Sequence, residues 1–126
     1  MPKLARSLVP PQHQGADTFW EADLDGYNVN IVKVGADVDL AELLRGLPDD
    51  QCPSPHWGYV TSGSLWFAIG PDGAREVFEA GDAFYVPPGH TPGASEGAEF
   101  VIFSPAEIMT GVEAHMANRA RELFGT

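Results

Sequence analysis

Polar and apolar residues alternate through Tyr27 to Val34, with apolar side chains at 27, 29, 31, 32 and 34, the period of a strand that buries one face. From His56 onward, short runs of strand character follow at close intervals: 56–61, 65–69, 76–79, 83–86, 90–94 and 99–103. The breaks between them carry turn chemistry. Ser62-Gly63, Gly70-Pro71-Asp72-Gly73, Gly81-Asp82, Pro87-Pro88-Gly89 and Ser95-Glu96-Gly97 supply residues that tolerate tight or left-handed backbone. Gly70 to Gly73 is the clearest hairpin loop. The spacing predicts an all-β fold, an antiparallel sandwich or barrel.

Two helices complete the pattern. Asp39 is placed to cap a short N-terminal helix of two turns through Leu40, Leu43 and Leu44, stopped by Gly46 and Pro48. Ser104-Pro105-Ala106-Glu107 joins a capping box to a proline at the first helical position. Ile108, Val112, Met116 and Leu123 then recur at helical spacing, so a C-terminal helix is expected over 105–124. Residues 1–25 are weakly patterned and read as an N-terminal arm whose Phe19-Trp20 pair needs an apolar partner, a second subunit being one candidate. With no internal repeat or low-complexity tract, a single domain over 1–126 is expected.

Composition narrows the classes of function. At 126 residues and 44% hydrophobic, the chain is long enough for one core without a disulfide framework or structural metal, so a metal would serve function. Seven basic against 18 acidic residues give a formal charge of -11, which repels nucleic acid and anionic membrane. No stretch reaches the roughly 20 apolar residues of a membrane helix, and prolines break the first ten residues before a signal-peptide core forms. A cytoplasmic protein is expected, and the single cysteine, Cys52, fits a reducing compartment.

The metal-capable residues are Cys52 and four histidines, of which His56 and His90 lie in the strand-rich middle and His13 and His115 outside it. Side chains alternate along an extended chain, and Pro53 and Pro55 favour extension, so Asp50, Cys52 and His56 are expected to point to one side. Thiolate and imidazole ligands suit zinc and other transition metals, with a carboxylate available to fill the coordination sphere. For His90 the alternative is a structural bond to the turn backbone beside Pro87-Pro88-Gly89, and for Cys52 it is a buried apolar filler. No phosphate loop, Ser-His-Asp order or paired-cysteine zinc motif is present.

The stretch from about Asp50 to Pro105 resembles the cupin superfamily, small β-barrels that often hold a metal. Gly58-Tyr59-Val60 with Gly63, and Gly81-Asp82-Ala83-Phe84-Tyr85-Val86-Pro87-Pro88-Gly89-His90, are similar to its two motifs. The second carries the glycine, five residues, proline, one residue, glycine pattern at Gly81, Pro87 and Gly89. His56 stands where the first motif has a glutamate ligand, Asp50 and Cys52 stand in place of its histidine pair, and Pro92 stands where the second motif has a histidine. His90 shares the strand parity of that slot. The resemblance implies a single-domain jelly-roll barrel. A substituted metal site of Cys52, His56 and His90, with Asp50 as a weaker member, is inferred from these departures.

The expected ion is a divalent transition metal, with zinc favoured by the cysteine and iron, manganese or nickel as alternatives. Leu65 and Phe67, on one wall with Ile69, and Phe84 are the expected lining of a ligand pocket; for the aromatics the alternative is barrel core. Trp57 and Tyr59 fall on the face opposite His56. Glu99 is the one candidate general base, with an exposed strand-end carboxylate as the alternative. The resembled superfamily includes dioxygenases, isomerases and lyases as well as non-catalytic proteins. A metal-dependent barrel acting on a small organic molecule is therefore weighed against a non-catalytic ligand-binding or metal-sensing module, with a homodimer expected in either case.

Overall fold

The computed structural model of the chain describes residues 3–125. In chain order the elements are β1 (Gln12–Gln14), β2 (Asp17–Leu24), β3 (Tyr27–Lys33), β4 (Val38–Asp39), α1 (Ala41–Leu44), a 3-10 turn (Pro48–Asp50), β5 (His56–Ser62), β6 (Ser64–Ile69), β7 (Ala74–Glu79), β8 (Ala83–Val86), β9 (His90–Ala94), β10 (Glu99–Pro105) and α2 (Ala106–Phe124). The strands pair antiparallel in two sheets, one ordered β1-β2-β3-β10-β5-β8 and the other β4-β9-β6-β7. The expected closed barrel is thus two sheets facing each other. Their strands join by hydrogen bonds within each sheet, and side-chain packing joins the sheets.

Alternation places the core between them. In β8, Phe84 and Val86 are buried while Ala83 and Tyr85 are exposed; in β6, Leu65 and Phe67 are buried at every second position. These residues form the main core with Val34, Val60, Ala94, Ala98 and Phe100. Phe84 stacks on Phe78 at 5.0 Å between ring centroids and lies 5.8 Å from Phe67, which ties the sheets together. Each such ring contributes about 1.5–3 kcal/mol by leaving water. On the outside of the smaller sheet, the Trp66 indole packs against Gly93, where a Cβ would clash with the ring carbons, and the Arg75 guanidinium lies over the ring at 3.8 Å.

Three local expectations change. The arm carries β1 and β2, and β2 pairs with β3 from Thr18↔Lys33 to Leu24↔Tyr27. Phe19 stands opposite Val32, and Trp20 stands opposite Ile31 with the Arg6 guanidinium 4.2 Å over its ring. Backbone pairing to β3 orders the segment, a non-local contact that a weak pattern hides. The short helix α1 is a single turn, although Asp39 Oδ1 does accept the Ala41 N–H. The run Ser104-Pro105-Ala106-Glu107 makes no side-chain cap: Ser104 and Pro105 are the last two residues of β10, and the Ser104 hydroxyl faces inward. Along α2, Met109, Val112 and Met116 pack inward, while Ile108 and Leu123 remain exposed.

Candidate metal centre

Two strand starts and one linker bring the candidate ligands together. Cys52 is bridged to His90: its N–H donates to the His90 carbonyl at 2.8 Å, and the Gly89 N–H donates to the Cys52 carbonyl at 2.8 Å. Gly89 adopts φ +92, the left-handed turn that lets the chain leave β8 and enter β9 with His90 directed inward. The Pro53-Ser54-Pro55 linker runs from Cys52 into β5, and His56 begins that strand facing the core. His90 is 0% exposed, Cys52 4% and His56 5%.

One ligand atom from each of these residues lies within 4.8 Å of the other two. The Cys52 Sγ to His56 Nε2 distance is 3.6 Å. Two ligands on one tetrahedral ion, with metal–sulfur and metal–nitrogen bonds of about 2.3 and 2.0–2.1 Å, stand about 3.6 Å apart, so the spacing fits a shared ion. Both imidazoles are held by their other nitrogen. His90 Nδ1 lies 2.8 Å from the Pro87 carbonyl, which can only accept, so the ring proton sits on Nδ1 and the lone pair on Nε2. That Nε2 is buried and has no hydrogen-bond partner. His56 Nδ1 lies 2.6 Å from Ser104 Oγ, which leaves Nε2 facing Cys52. An outer oxygen that fixes the ring of a ligating histidine is the usual second layer of a metal site.

Electrostatics keep the histidines neutral. Burial, reinforced by the neighbouring His90, pushes His56 down to about 3, and burial pushes His90 below its usual value against the opposing Pro87 bond. Burial raises the Cys52 thiol, with a hydrogen bond from the Ser54 backbone acting against it. Neutral imidazoles are the ligand form; a thiolate here needs a cation beside it.

The surroundings are mostly apolar. Cys52 belongs to a second core cluster with Leu44 and Val112, packed by Leu47, Met109 and Met116 from the α1 region and α2. On the other side the Phe67 ring meets His90 edge-on at 5.1 Å and 88°. Leu65, Phe67 and Phe84, the expected pocket lining, are 2%, 1% and 7% exposed and fill the interior as core. Asp50 is exposed and its Oδ1 accepts the Gly46 N–H, because a positive φ of 57 turns the chain there and breaks the extended parity that aligned it with Cys52. Glu99 pairs with Arg6 at 3.5 Å, five residues along β10 from Ser104 and thus roughly 17 Å away. His13 lies exposed beside Thr18, and His115 donates to the Arg45 carbonyl.

Ser104 is the member that sequence reasoning overlooked. Its place before Pro105 suggests a helix cap. Only the pairing Ser104↔Asn28 in β10, with His56 across the same face, shows that it serves the imidazole. The alternation from Phe100 through Ile102 to Ser104 is the one signal that points it inward.

No protein-family model matches the sequence, and no curated protein matches it. Solved structures do. The two facing antiparallel sheets are those of the cupin fold. The chain is similar to the polyketide cyclase RemF from Streptomyces resistomycificus, with 17% identity and a TM-score of 0.60 over 83% of this chain and 79% of that one. It is similar to an RmlC-like cupin from Shewanella frigidimarina, with 21% identity and a TM-score of 0.55 over 81% and 88%. A variant of oxalate decarboxylase from Bacillus subtilis matches with 18% identity and a TM-score of 0.56 over 83% of this chain and 30% of that chain.

Proposed function

We propose that the chain is a metal-binding cupin module whose centre is Cys52, His56 and His90. The His90 Nε2 atom carries this reading. A buried polar nitrogen without a partner costs about 1–3 kcal/mol, and here it points with a second imidazole nitrogen and a sulfur at one spot. A cation at that spot accepts all three lone pairs and stabilises the thiolate. Thiolate and imidazole favour zinc among the divalent ions, with iron, manganese and nickel poorer matches to sulfur. When bound, such an ion cross-links the linker to β5 and β9, and it is a Lewis acid toward any ligand that reaches it.

Among the described residues no carboxylate joins the three ligands, and their neighbours Leu44, Phe67 and Val112 are apolar. That lining supports binding or sensing over catalysis, which needs convergent ionisable groups. Action on a small organic molecule has one observation in its favour. A cavity of about 550 Å³ is lined by Asp49, Gln51, Ile69, Gly70, Pro88 and Gly89, so its wall includes the chain neighbours of Cys52 and His90. RemF and oxalate decarboxylase bear the names of enzymes that act on small molecules, at a distance in sequence that relates folds alone.

The test is elemental mass spectrometry of the untagged protein purified without chelator. Near one transition-metal ion per chain, with a fall in Tm on chelation, is expected. Metal far below one per chain after reconstitution ends the reading. A thermal-shift screen of small organic acids on the metal-loaded protein, repeated with Gln51→Ala, separates the two modes: a ligand shift lost in the variant favours the substrate pocket.

A further inference from the structure

We infer, resting on the metal-centre reading above, that the ion this site selects is copper(I) in preference to zinc. Zinc in proteins completes four ligands, taking either a fourth side chain or an open position filled by water. Neither is on hand. The group of ligating side chains stops at Cys52, His56 and His90 among the described residues, and all three are at least 95% buried. The side facing α2 is closed by Leu44, Val112, Met109 and Met116, and the Phe67 ring stands against His90 on the sheet side.

Copper(I) is satisfied by three soft or borderline donors in a plane and prefers thiolate and thioether sulfur, so a buried set of one sulfur and two imidazoles meets its needs. Carboxylates, which draw harder ions, are held away: Asp50 is turned outward, and Glu99 is committed to Arg6. Further sulfur in the apolar cluster around Cys52 comes from the thioethers of Met109 and Met116. A trigonal His₂Cys set with a distant thioether is a recognised copper arrangement. The Nδ1 bonds to Ser104 and Pro87 orient both rings toward the sulfur in advance.

The experiment is a competition on the full chain. The protein is incubated without oxygen with equimolar copper(I), supplied as its acetonitrile complex, and zinc, then desalted and analysed for both elements. One copper per chain, in excess of zinc by about tenfold or more, is expected. One ion per chain with zinc equal to or above copper overturns the copper inference and leaves the metal centre standing. Retention of neither metal ends the metal-centre reading itself. Cys52→Ser and His90→Gln, each checked for folding by circular dichroism, are expected to lose the copper. Full copper retention by either folded variant places the ion elsewhere and overturns the inference.

Discussion

At His56 the imidazole is held at both nitrogens, Nδ1 at 2.6 Å from Ser104 Oγ and Nε2 at 3.6 Å from Cys52 Sγ. Replacing Ser104 with alanine removes the acceptor while keeping the three ligands. Outer partners of this kind are worth about 10–100-fold in metal affinity, so Ser104→Ala is expected to weaken binding by that factor in a chelator competition titration. Ser104→Thr, which keeps the hydroxyl, should recover most of it. Gly93 is held by sterics instead. A methyl there enters the Trp66 ring, so Gly93→Ala is expected to cost about 1–3 kcal/mol, read as a lowered denaturant midpoint with unchanged metal content.

The helix α2 packs at the end of the sandwich that holds Cys52, His56 and His90, and its own electrostatics govern how firmly it sits. Glu113 on α2 faces Glu21 and Asp23 of β2, while Asn28 donates to both of those carboxylates at 3.2 Å. Burial first, then the hydrogen bond and charge of Glu21 and the charge of Asp23, push Glu113 up to about 7. The unfolded chain releases this proton near pH 4.5 and the folded chain near 7, so stability falls as pH rises through that window and the loss is complete above it. Glu113 is half-buried, and solvent screening reduces the effect to about 1–2 kcal/mol. The stability gap between Glu113→Gln and wild type, from urea unfolding, is therefore expected to move in favour of the variant by that amount between pH 5 and pH 8. No change in the gap would mean that water screens the three carboxylates from one another.

At the scale of the molecule, the described residues leave several large rings exposed on the outer face of the larger sheet. Register places Val29, Phe103, Trp57 and Tyr85 in one row across the larger sheet and Trp20, Ile31, Val101 and Tyr59 in the next. Tyr27, Trp57, Tyr59, Tyr85 and Phe103 are each 39–51% exposed, with Trp57 set 5.2 Å from Tyr85 and 6.3 Å from Tyr27. We propose that this row of exposed rings is the contact of an isologous dimer, formed against the mutual repulsion of two chains of net charge -11. The double substitution Trp57→Lys and Tyr85→Lys is expected to give a monomer by sedimentation velocity, with metal content intact, since both side chains point away from His56. A wild-type protein that sediments as a monomer at all concentrations would end the dimer reading. Among the described residues no helix is long and apolar enough to cross a membrane.

Strand β3 and the strands β5 to β10 were legible from local chemistry alone, because period-two patterning and the glycine and proline breaks act between neighbours in the chain, whereas the two-residue β4 was not. That Cys52 and His56 face one side was legible for the same reason, through the Pro53-Ser54-Pro55 linker. Tertiary structure decided the rest. The pairing of β2 with β3 ordered a segment whose own pattern is weak, and the positive φ at Asp50 removed a carboxylate that parity had aligned. Packing between the sheets filled the interior with Leu65, Phe67 and Phe84, and β10 carried Ser104 to His56 across 48 residues of sequence. Contacts between distant residues depend on how whole faces pack, which no local run encodes; that is why Cys52, His56 and His90 could be singled out from the sequence while Ser104 and the apolar packing around them could not.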